Sequence, residues 1–293
     1  MSAVVTTDRP AVVGPVDDRH DQSEWRTLWS DSLVFARRHL EHIRQIPEKL
    51  LDVTLQPLMF VLLFAYVFGG AISVPGGSYR EYIIGGILVQ SIAFGLMGPG
   101  TSIATDLTEG VIDRFRSLPT RKAAYLVGHY LAELSGMVLA IVILLGAGLI
   151  VGWRTHEDIA HVGGAALLLL LFASAMIWIG TWIGLTVRTP DAVMGVAFVL
   201  VFPITFLSAA FVPIDSLPNV LQWVAAWNPV SVVVSAVREL FGNPTAPVAK
   251  HSWPLEHPVV AAVLITLALL AIAVPGAVRT SVGRAGPIAP HRR

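Results

Sequence analysis

The chain has 293 residues, 54% of them hydrophobic and only 14% charged, a balance far from that of soluble domains and expected of a protein that resides in a lipid bilayer. Its formal net charge is zero, so no overall basic field argues for a nucleic-acid partner, and the charges inform only through where they sit. Cysteine is absent, which excludes disulfides and thiolate metal sites.

Residues 1–23 mix Val, Pro, Asp, Arg and Thr without periodicity and lack a signal-peptide core, which predicts a disordered, retained tail. From 24 to 46 the pattern is helical: Trp25, Leu28, Trp29, Ser32, Ala36, Leu40 and Ile43 share a face from which Arg37, Arg38 and Arg44 are excluded. That is the pattern of an interfacial amphipathic helix, ended by Pro47, with His39 and His42 as surface residues. Apolar runs then predict spans over about 54–73, 82–105, 124–151, 165–187, 192–211 and 258–278. The second carries Gly95, Gly98, Pro99 and Gly100, which predicts a kink or a close-packing site. The fifth contains Pro203 and follows the fourth after a very short link, as a tight hairpin.

Between the second and third spans lies DLTEGVIDRFRSLPTRK, residues 106–122. Leu107, Val111, Phe115 and Leu118 form an apolar stripe on a helix, with Glu109, Asp113 and Arg116 on another face. Asp106 is placed to cap a helix over 106–118, with Glu109 three residues on as in a capping box, and Pro119 to stop it. Residues 213–241 are apolar but broken at Asn228-Pro229, which predicts two short re-entrant helices before the last span. The residues from 281 to 293 form a basic tail. With six spans and both termini inside, sixteen of the twenty Lys and Arg residues fall on the cytoplasmic side. Only Arg80, Arg154, Arg238 and Lys250 fall outside, so the segment at 106–118 is placed in the cytoplasm.

The chain offers little chemistry of its own. Its lysines, Lys49, Lys122 and Lys250, are preceded by Glu48, Arg121 and Ala249, so no Gly-Lys phosphate loop exists and no Gly-x-Ser-x-Gly nucleophile elbow is found. His156-Glu157 followed by His161 has the wrong spacing for a zinc helix, because five residues turn about 140° past the first ligand. His129 and Glu133, four apart at the start of the third span, share a face and read as a structural or gating pair, with a proton site as the alternative. No other ionisable residue is expected deep in a span, which weakens ion-coupled secondary transport. An intramembrane enzyme would need a nucleophile with a base or a metal cluster, and neither is visible.

Taken together, Glu109-Gly-Val-Ile-Asp-Arg-Phe-Arg-Ser-Leu-Pro119, Phe211-Val-Pro-Ile-Asp-Ser-Leu-Pro218 and Trp227-Asn-Pro-Val230 resemble the ABC-2 type permeases, in particular their daunorubicin and doxorubicin resistance branch. The resemblance spans about residues 24–280 and implies an all-α polytopic membrane protein with the six spans, interfacial helix, coupling helix and re-entrant pair described above. It further implies a bacterial cell-membrane subunit, both termini cytoplasmic, paired with a second permease copy and two copies of a separately encoded ABC ATPase that holds the ATP and Mg. The segment matching Thr108–Ser117 would be the coupling helix, with Glu109, Asp113, Arg114 and Arg116 as polar contacts and Phe115 as an apolar anchor. The first and fifth spans would form the dimer interface. The implied cargo is a hydrophobic or amphipathic compound such as a drug, antibiotic or lipid-like metabolite, with polysaccharide or lipid-linked glycan export as the alternative.

Overall fold

A computed structural model describes residues 55, 57–69, 74, 76–111, 122–187, 189–245 and 252–283. The interfacial segment 24–46 lies outside them. Among the described residues the fold is helical, and the only extended pairing is an isolated bridge between Val74 and Gly77.

The first helix, α1 (Pro57–Val67), ends in a π-helical turn, Leu63–Phe68. Ser78 caps α2 (Tyr79–Phe94) by accepting from the Arg80 N–H at 3.2 Å. After a break at Gly95-Leu96 the chain continues as α3 (Met97–Thr108). Both expectations for the glycine-rich stretch are met here. The helix breaks at Gly95, where a Cβ would lie 2.4 Å from Met137 Cε, and Gly100 packs against a neighbouring backbone. The helix does not restart at Asp106; that residue sits in the last turn of α3. The turn after Thr108 is formed instead by Glu109 and by Gly110, whose φ of +69° suits glycine.

The long helix α4 (Lys122–Val151) returns across the bundle, and Asp158 caps α5 (Ile159–Thr186) through the His161 N–H at 3.0 Å. That cap makes α5 start six residues before the expected boundary at 165. Thr189 then caps α6 (Pro190–Phe206), closing the tight α5–α6 hairpin. The helix stops at Phe206 rather than 211, because the next backbone groups find side-chain partners on other helices. A 3-10 turn at Ile214–Ser216 leads to α7 (Asn219–Trp227) and α8 (Pro229–Phe241), which meet at 72°. Asn228 is the joint: its Oδ1 accepts from Val230 N–H at 2.9 Å, while Nδ2 donates to the carbonyls of Ile204 and Leu207 at 2.6 and 2.9 Å. A short turn, α9 (Trp253–Glu256), precedes α10 (Pro258–Gly283).

Among the described residues four stretches are long and apolar enough to cross a membrane, 79–108, 125–151, 159–186 and 258–282, or five if the bent α7–α8 pair is one span. The helices at the expected first and fifth spans are shorter, so a count of six is not reached by length alone. The α2–α3 stretch is the most enclosed, and α5 is the hub, touching α10, α3, α8, α4, α2 and α6. Close approach of α3 and α5 is made by glycine. A Cβ on Gly180 would lie 2.1 Å from the Leu96 carbonyl oxygen, and one on Gly184 2.2 Å from that of Gly100. This is the small-xxx-small packing by which helices attract in lipid, where burial of apolar surface supplies no driving force between them.

Candidate functional site

Two polar constructions lie at opposite ends of the bundle. The first frames the charged segment. Glu109 is exposed immediately after α3, whereas Asp113, Arg114, Phe115 and Arg116 lie outside the described residues. The two flanks of the segment are joined: Tyr125 in the first turns of α4 donates its hydroxyl to Asp106 Oδ2 at 2.5 Å. One turn further along α4 the buried His129 ring lies nearly parallel to that of Tyr125, 6.3 Å between centroids. Glu133 follows at the next turn, half-buried, with Oε2 3.5 Å from where a Cβ on Gly98 would stand. His129 and Glu133 therefore share the face expected of them, and α3 is what that face meets.

The second construction was not foreseen as buried. Arg238, read from sequence as an outer-side charge, is 1% exposed. Its guanidinium lies 3.4 Å from the centroid of the Tyr82 ring. Nε donates to the Tyr82 carbonyl at 2.8 Å, Nη1 to that of Ala209 at 2.8 Å and Nη2 to that of Ala210 at 3.0 Å. Tyr82 and Tyr79 hydroxyls donate to the carbonyls of Ala209 and Phe211, at 3.0 and 3.1 Å. Ser231 Oγ accepts from the Ala209 N–H at 2.9 Å. The backbone between α6 and α7 is thus held by α2 and α8. It enters where Gly86 leaves room, a Cβ there falling 1.9 Å from the Ala210 oxygen. Sequence reasoning missed the role of Arg238, although the signal was present: one arginine closing the apolar run Val230–Val237 demands an interior partner.

At the same end, Trp153 Nε1 donates to Asn243 Oδ1 at 2.6 Å, and Asn243 Nδ2 donates to the Arg154 carbonyl at 2.9 Å. The histidines of the rejected zinc pattern part company. His156 Nε2 lies 2.9 Å from Glu81 Oε1 on α2, while His161 Nδ1 lies 2.5 Å from Asp158 Oδ1. The hydrogen bonds from His161 hold the Asp158 carboxyl below its usual range. Glu157, Asp158 and His161 are mutually close but all exposed, and serve as a helix cap and its surroundings.

A helical bundle of this kind, with a broken helix pair before its last long apolar stretch and a charged segment between the first two, is that of a multi-pass membrane protein. Residues 32–241 match the ABC-2 type transporter family, and the chain belongs to it. It is 33% identical over 214 residues to a daunorubicin resistance ABC transporter permease of Streptomyces coeruleorubidus, covering 73% of this chain and 76% of the relative. It is 25% identical over 227 residues to a doxorubicin resistance ABC transporter permease of Mycobacterium tuberculosis, covering 74% and 78%. Members of this family are membrane subunits of transporters and work with ABC ATPase subunits.

Proposed function

We propose that this chain is the permease of an exporter that moves a hydrophobic or amphipathic compound out of the bacterial cell, driven by two copies of a separate ABC ATPase. The observation that carries the reading is the family match together with the similarity to two drug-resistance permeases. In this reading the chain spans the membrane six times, α1 and α6 included, with both termini cytoplasmic. The segment 106–118 is the coupling element, on which Glu109, Asp113, Arg114, Phe115 and Arg116 meet the ATPase, and His129 and Glu133 are a pair that responds to its movement. A second copy of the chain completes the pathway. In this reading α1 and α6 face that second copy.

The test is co-purification in mild detergent with the ATPase, followed by reconstitution and doxorubicin uptake into inverted vesicles. ATP-dependent uptake is expected; recovery without any ATPase subunit, or uptake indifferent to ATP, would refute the reading. ATP-driven export of a glycan but not of doxorubicin would replace the cargo and keep the mechanism. Reversing charges on the segment, Glu109→Lys or Arg116→Glu, should uncouple hydrolysis from uptake while insertion continues. Normal uptake by both variants would reduce the segment to a connector.

A further inference from the structure

We propose that Asp106 and Tyr125 form a clasp that fastens together the two ends of the coupling segment, so that a load on it moves α3 and α4 as one body. The proposal rests on the coupling reading above and names the residues that carry the load across. Asp106 is in the last turn of α3, Tyr125 near the start of α4, and the segment 109–121 runs between them. The bond is a short hydroxyl-to-carboxylate contact, 2.5 Å, of the charge-assisted kind that is stronger than a neutral pair.

At this end the bond adds a directed polar link to an apolar contact between the two helices. α3 and α4 pack against each other far less than either packs against α5. The apolar cluster at this end, Ile103 of α3, Leu126 of α4, Leu185 and Ala277, is separate from the main core and joins the two helices only by apolar contact, which fixes no single distance as a hydrogen bond does. The chain leaves α3 through Gly110 in the left-handed region, where rotation meets little side-chain resistance. A push on an unclasped segment would be absorbed at that turn. With the clasp closed it reaches Asp106 and Tyr125 together. His129, stacked on Tyr125, and Glu133, set against Gly98, continue the same face of α4 towards the break at Gly95-Leu96. The conversion of a local push into movement of two helices needs such a fastened pair, since packed elements respond as bodies only where they are joined.

The experiment uses the full chain reconstituted with its ATPase, reading doxorubicin taken up per ATP hydrolysed. Tyr125→Phe and Asp106→Ala are each expected to lower that ratio about tenfold, the equivalent of about 1.4 kcal/mol and the order of one charged hydrogen bond, while hydrolysis continues. The double variant should be no worse than either single one, as for two partners in one interaction. Asp106→Asn keeps an acceptor oxygen and should recover most of the ratio. An unchanged ratio in both Tyr125→Phe and Asp106→Ala, additive losses, or an Asn variant as poor as the Ala variant would overturn the clasp. If Asp106→Ala fails to assemble, Tyr125→Phe, which deletes a single oxygen atom, decides alone. A wild-type chain that recovers no ATPase refutes the coupling reading itself, whereas a coupled wild type with a coupled Tyr125→Phe refutes only the clasp.

Discussion

Arg238 shows how a charge is made tolerable in an apolar interior. Its fixed fork of donors meets three main-chain carbonyls, and its face lies on the Tyr82 ring, so the positive charge is answered by dipoles and a π-system. None of its hydrogen-bond partners among the described residues is a carboxylate. Two of those carbonyls, of Ala209 and Ala210, belong to a turn that has left helix geometry, while the third, of Tyr82, lies in the first turn of α2. Arg238→Met should therefore destabilise the protein by about 1–3 kcal/mol, the cost of leaving a buried carbonyl unpaired, because the Ala210 carbonyl loses its donor while that of Ala209 keeps the Tyr82 hydroxyl. Arg238→Lys should fall between, since an ammonium reaches fewer of the three acceptors. Thermal unfolding in detergent measures both, and a melting temperature unchanged in Arg238→Met would show that the turn is held by the tyrosines and Ser231 without it.

At the level of elements, backbone approach rather than side-chain interlocking joins α3 to α5. Gly180→Ala should cost about 1–3 kcal/mol by overpacking, because its Cβ would meet the Leu96 carbonyl oxygen at 2.1 Å. Gly136→Ala on α4 has open space around its Cβ and should change stability by no more than about 0.5 kcal/mol, or raise it. Equal melting temperatures for the two variants would contradict close packing at this crossing. Element ends were the least legible features, and for identifiable reasons. Asp106 satisfies the rule for an N-cap, yet α3 runs past it because Tyr125, nineteen positions away, takes its carboxylate. Phe206 ends α6 because Asn228, Ser231 and Arg238 satisfy the backbone beyond it. Neither partner is visible to a local rule. By contrast, the break at Asn228-Pro229 and the irregularity at Gly95 were legible, since Pro and Gly act on the chain next to them.

For the whole molecule, the charge asymmetry of the sequence predicts the orientation proposed above. An engineered cysteine, Pro287→Cys, should react with a membrane-impermeant maleimide only from the cytoplasmic face; labelling from outside alone would overturn that orientation, and with the N-terminus still inside it would mean an odd number of crossings and make α7–α8 a span. Composition and apolar run length alone determined that this is a membrane protein, because a bilayer demands long uninterrupted apolar helices and penalises charge within them. The motif at 109–119 and the fragments around 211 and 227 pointed to the family that residues 32–241 then matched. Only the tertiary structure decided which polar residues act in pairs. The Asp106–Tyr125 bond and the Arg238 turn join residues between 19 and 156 positions apart. Such pairs leave no periodic trace, since what brings them together is the packing of glycine-lined helices around α5.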